Sequence, residues 1–142
     1  MARQMTADER RAFLETGSRT AVVAVVRPDG RPHAVPVWFA LDGDQVLISS
    51  PADTVKVRAL RQDPRVTLVV DDPRPPYAFV KIDGVAEVSG DPDDIRRGVT
   101  MIARRYLDEA GARDFVGYAT GPGMVLVRIR PERVLALDRV GG

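Results

Sequence analysis

Apolar and β-branched residues run almost unbroken from Thr20 to Val26, a pattern that predicts a strand buried on both faces. Pro28-Asp29-Gly30 supplies turn chemistry, and His33–Leu41 returns as the second arm of a hairpin. Pro36 cannot donate to a central ladder, so that arm belongs at a sheet edge or bulge. Asp42-Gly43-Asp44 makes the next turn, and Gln45–Ser50 is a third strand. A fourth covers Val66–Val70. A long fifth, Tyr77–Val88, is expected to bend near Asp83-Gly84. Met124–Arg130 and Val134–Asp138 complete about seven strands.

Helical signals are fewer. Thr6-Ala7-Asp8-Glu9 matches a capping box, opening a helix that runs to about Thr16 and stops at Gly17. A short basic helix spans roughly Asp53–Gln62, with Asp53 the expected N-cap and Asp63-Pro64 the stop. Asp91-Pro92 opens a longer helix, along which Ile95, Val99, Ile102, Ala103, Tyr106 and Leu107 recur at helical spacing. A short helical piece follows near Arg113–Tyr118. Hairpin-linked strands with short turns indicate an antiparallel sheet closing into a barrel, mainly β with some α. The whole of residues 1–142 is expected to form one domain.

Composition changes this picture mostly by exclusion. The net charge of +1 gives no overall field toward nucleic acid or a membrane surface. No apolar run approaches membrane-spanning length and the first residues lack a signal-peptide pattern, so the cytoplasm is the expected location. With no cysteine, thiolate chemistry and Cys-ligated metals are excluded; with His33 as the one histidine, a histidine metal site or triad is disfavoured. No Gly-x-Gly-x-x-Gly or Walker pattern follows a strand. Lysine is rare in this arginine-rich chain: Lys56 and Lys81 are the two.

Three segments could carry chemistry. The basic helix has Lys56, Arg58 and Arg61 directly after the polar strand end Ser49-Ser50. Free N–H groups at its start, the helix dipole and these cations together suit a phosphate. The same pattern also describes a solvated amphipathic helix packing Val57 and Leu60 inward. Val35-Pro36-Val37-Trp38-Phe39 offers an apolar wall for a ring system, or else a core tryptophan or a dimer contact. Pro75-Pro76-Tyr77-Ala78-Phe79 is rigid and aromatic: a pocket lip, a subunit contact, or plain loop punctuation. No pair of carboxylates stands out for acid–base work. A cofactor-binding barrel, in which the cofactor supplies the chemistry, accounts for these features best, and the catalytic residues stay unassigned.

The order Gly30-Arg31-Pro32-His33, Val35-Pro36-Val37-Trp38, Ile48-Ser49-Ser50 and Thr54-Val55-Lys56-Val57-Arg58-Ala59-Leu60-Arg61-Gln62-Asp63-Pro64-Arg65-Val66 resembles the pyridoxamine 5'-phosphate oxidase-like split β-barrel superfamily. With Pro75-Pro76-Tyr77 and Arg104-Arg105-Tyr106-Leu107, it looks most like the flavin/deazaflavin oxidoreductase branch that uses coenzyme F420 (the B group). The resemblance implies a homodimer with two cofactor sites at the subunit interface. It implies that Ser49, Ser50, Lys56 and Arg61 hold the cofactor phosphate, with Val57 among the cofactor-binding residues. Val37 and Trp38 would run beside the ring, and Pro76, Tyr77 and Phe79 would reach in from the partner.

Two departures narrow that expectation. Pyridoxamine phosphate oxidases proper carry basic residues on the strand matching His33–Phe39 and end in an arginine-rich segment. Here the strand is almost wholly apolar and the last residues are Arg139-Val140-Gly141-Gly142. Vitamin B6 oxidation is therefore not expected, nor is haem degradation with a single histidine. The reading that remains is an F420-dependent reductase passing a hydride to an electron-poor double bond of a small molecule. The alternatives are an FMN-dependent oxidase or flavin reductase, and a non-catalytic F420-binding protein.

Overall fold

The computed structural model describes residues 1–141. In chain order its elements are β1 (Arg3–Gln4), α1 (Ala7–Glu15), β2 (Ala21–Val26), β3 (Pro32–Val37), β4 (Ala40–Asp42), β5 (Gln45–Pro51), α2 (Val55–Gln62), β6 (Arg65–Asp72), β7 (Ala78–Ser89), α3 (Pro92–Tyr106), α4 (Glu109–Ala119) and β8 (Met124–Asp138). All strand pairs are antiparallel and form one sheet in the order β3-β2-β6-β7-β8-β5-β4, with β1 added against β8. Its two edges, β3 and β4, are separated in sequence by only Trp38 and Phe39. A sheet whose edges are joined by two residues must curl until they meet, which makes this a split β-barrel.

Inward-facing Val23, Val25, Val46, Ile48, Leu68, Val70, Val80, Val127 and Ile129 fill the barrel, and α2 plugs it with Val57, Ala59 and Leu60. A second apolar cluster forms outside the sheet, where Ile95, Val99 and Ile102 of α3 and Ala119 of α4 cover Leu47 and Leu126. Contact there is close: a Cβ on Gly98 would lie 2.6 Å from a methyl of Leu126. Only glycine lets α3 sit this low on β8. No helix of the described residues is long and apolar enough to cross a membrane.

Several expectations hold in detail. Thr6 and Glu9 close a capping box on α1, Asp91 caps α3 with Pro92 next, and β3 lies at an edge. The β7–β8 register shifts at Asp83/Gly84. Others are corrected. β2 is buried on one face only: it alternates, and Val22 on the outer face is 43% exposed. The arm His33–Leu41 is two strands, broken where the barrel seam turns. The α2 cap is Thr54, whose hydroxyl accepts from the Val57 N–H at 3.4 Å, and not Asp53. The piece near Arg113 is a full helix, α4, capped by Asp108. The last two expected strands are one, β8, and eight strands are present among the described residues.

Candidate functional site

Alternation along β5 sends Ser49 and Ser50 to opposite faces. Ser50 points into the barrel and is almost fully buried; its Oγ lies 3.0 Å from Thr54 Oγ1 and 2.9 Å from the Pro51 carbonyl. Thr54 Oγ1 is also 3.1 Å from the Pro51 carbonyl. These hydroxyls set where α2 begins. Thr54 caps the Val57 N–H and leaves those of Val55 and Lys56 without a side-chain acceptor, at the positive end of the helix. Ser49 faces α3, and its Oγ is buried with no hydrogen-bond partner.

Lys56 stands in this first turn. Its ammonium is half-buried, and burial pulls its pKa below the ordinary value of 10.5. Among the described residues it makes neither an ion pair nor a hydrogen bond. Arg61 is exposed in the last turn of the same helix. The two cations are five positions apart, about 7.5 Å along the axis and about 140° around it, so α2 does not bring them together. The Val57 side chain is fully buried in the barrel core; its backbone alone faces the helix start.

The seam carries the aromatic residues. Phe39 turns inward and is fully buried, while Trp38 turns outward and is 37% exposed. The indole stacks on Tyr106, with centroids 4.8 Å apart and planes 8° from parallel, and meets Phe115 at 5.5 Å and 44°. Tyr106 Oη accepts from the Phe39 N–H at 3.1 Å and donates to the Arg19 carbonyl at 2.8 Å. One hydroxyl thus ties the seam to the segment leading into β2. The Arg105 guanidinium lies 4.3 Å over the Phe39 ring. The pairing Ala40↔Leu47 carries the seam toward the Ser49–Ser50 end of β5, on the face that holds Ser49. Val37 pairs with Ala21 and faces inward, half-buried.

Trp38, Ser49, Ser50 and Lys56 therefore lie toward one end of the β5–β8 ladder. Pro76, Tyr77 and Phe79 do not. Ser89 pairs with Leu126, which itself pairs with Ser49, whereas Phe79 pairs with Leu137. Ten strand residues, roughly 33 Å, lie between the two levels. Round the other side of the barrel, Pro36 shares a row with Val22, Val69 and Lys81, so Val37 on β3 stands nearer the Phe79 end than the serines do. Sequence reasoning missed Thr54 as the cap and Tyr106 with Phe115 as the support of Trp38. The available signal was Tyr106 in the apolar stripe of the α3 pattern, which names no partner for it.

A family model described as pyridoxamine 5'-phosphate oxidase matches residues 6–138. Among solved structures, the conserved hypothetical protein Rv2991 from Mycobacterium tuberculosis is 28% identical with a TM-score of 0.84, covering 96% of this chain and 87% of that one. An F420 reductase is 24% identical with a TM-score of 0.61, over 87% of this chain and 94% of that one. HutZ, the haem storage protein from Vibrio cholerae, shares the fold at 15% identity and a TM-score of 0.76, over 94% and 96%. The chain belongs to the pyridoxamine 5'-phosphate oxidase-like split-barrel superfamily.

Proposed function

We propose that this member of the superfamily is an F420-dependent reductase that works as a homodimer. Its family and fold are consistent with a flavin- or deazaflavin-binding oxidoreductase in general; one observation carries the phosphate-anchored cofactor, namely that Lys56 is half-buried, partly desolvated and unpaired at the open start of α2, and the lack of basic residues along residues 35–39 favours F420 over FMN. A cation held without an acceptor in that setting fits a ligand phosphate. The exposed part of Trp38 suits the apolar body of a flavin-like ring, and the unpartnered Ser49 hydroxyl lies under the same corner.

A bound deazaflavin supplies hydride transfer to an electron-poor double bond. The protein's part is to bind, orient and exclude water. Lys56 and the N–H groups of Val55 and Lys56 hold the phosphate, and Ser50 acts on it only through the Thr54 cap, while Arg61 points elsewhere on α2. The strand edge at Val37 and the outward-facing Trp38 run beside the ring, and Tyr106 stacks on the indole. No side chain is assigned as acid or base, so the balancing proton comes from solvent.

The outer face of β3-β2-β6 supports the dimer reading. There Val22 lies between Pro36 and Val69, and Ala24 between Ala34 and Thr67, a largely apolar strip. Pairing it with a second copy would let the partner's Tyr77 segment approach the Lys56 end. FMN offers the same phosphate to Lys56 and is the second reading, supported by the family match. Titrating the purified protein separately with F420 and FMN decides between them, with tighter F420 binding expected. Anaerobic mixing with reduced F420 and a panel of enones and quinones should then consume the reduced cofactor. Tight F420 binding with no consumption across the panel would leave a binding protein in place of the reductase.

A further inference from the structure

We infer that the segment after β8, Arg139–Gly141, is a latch that positions Tyr77 and with it the lip of the ligand site; the second half of this statement rests on the proposed cofactor reading of Tyr77. The backbone around Tyr77 is held from three directions. Its N–H donates to the Arg74 carbonyl at 2.8 Å, its carbonyl accepts from the Val140 N–H at 3.0 Å, and the Pro76 carbonyl accepts from the Gly141 N–H at 2.9 Å. Tyr77 has φ +69°, in the left-handed region that a bulky residue adopts only under constraint from its surroundings. Arg139, at φ +54°, turns the chain back so that the next two residues can make these bonds.

The ring is held too. A Cβ on Gly141 would lie 2.3 Å from Cδ2 and 2.7 Å from Cε2 of Tyr77, and the next atom, the Pro76 carbonyl oxygen, is 3.6 Å away. Gly141 itself is outside the left-handed region. Glycine is needed there for the space the tyrosine ring occupies, not for its backbone freedom. Yet Tyr77 remains 45% exposed. A large ring with a constrained backbone and an open face is presented outward, not packed away. Residues 139–141 set the direction in which it is presented.

Gly141→Ala tests this directly, because the added methyl clashes only with the Tyr77 ring and meets the Pro76 carbonyl at ordinary contact distance. We expect an unchanged melting temperature, chymotryptic cleavage after Tyr77 that is several-fold faster, and several-fold weaker binding of F420 or FMN. In a Tyr77→Ala background, Gly141→Ala should have no further effect on affinity, since the two residues act through one contact. Cleavage at the wild-type rate overturns the latch. The same affinity loss with and without the tyrosine side chain overturns its link to the ligand site. Should Lys56→Ala leave both cofactors binding as before, the site reading falls, and the cleavage rate alone still decides the latch.

Discussion

Arg128 and Lys56 are both partly buried cations near the β5–β8 ladder, and the fold treats them in opposite ways. Arg128 donates to Asp42 at 2.9 Å, to Gln45 at 3.1 Å and to Asp94 at 2.7 Å. Arg97 adds two further bonds to Asp42. The Arg97 and Arg128 guanidiniums hold the Asp42 carboxyl below its usual range. Lys56 has only the cost of burial, and its pKa falls for that reason. A folded chain that satisfies one buried cation three times over and leaves another empty is using them for different things. The first fastens the β4–β5 turn to α3, and the second is the cation for which we propose a ligand phosphate.

That contrast can be broken by exchanging the two outcomes. Arg128→Leu strands Asp94 without its arginine, while Asp42 keeps Arg97; we expect a stability loss of about 2 kcal/mol in denaturant titration, with cofactor affinity unchanged. An affinity loss larger than the stability loss would place Arg128 in the ligand site and blur the distinction. Lys56→Met should do the reverse, leaving stability unchanged or slightly raised near neutral pH, because it removes an uncompensated charge.

A finer version uses pH. The folded state lowers the Lys56 pKa below 10.5, so between the lowered value and 10.5 the unfolded chain binds more protons than the folded one. Stability attributable to Lys56 therefore rises with pH across that window and is flat outside it. Comparing wild type with Lys56→Met by denaturant titration at several alkaline pH values should show this rise in the wild type alone. Parallel curves would mean that Lys56 is not desolvated. This is the smallest of the expected effects.

Much of this was legible in the chain, and the gaps have physical reasons. The capping box at Thr6, the edge strand around Pro36 and the basic α2 follow from local chemistry, and all are present. The cap of α2 was displaced by one residue because Asp53 and Thr54 are equally good caps locally. The choice falls to Thr54 through Ser50, which only the β5 trajectory brings within 3.0 Å. β2 was read as doubly buried because its outer residues are Val and Ala, apolar by composition but exposed in the single chain. The break at Trp38 was invisible for a longer-range reason: the seam depends on Tyr106, sixty-seven residues away. Alternation also separates Ser49 from Ser50, so neighbours that look equivalent in sequence serve different faces.

The proposed role of Lys56 as a phosphate anchor is tested most directly by one comparison. Wild type and Lys56→Ala are titrated with F420 and with FMN in the same buffer, and both are melted. The account predicts a loss of about tenfold or more in affinity for the preferred cofactor, about 1.4 kcal/mol, with no fall in melting temperature. Equal affinities in the two proteins would contradict it.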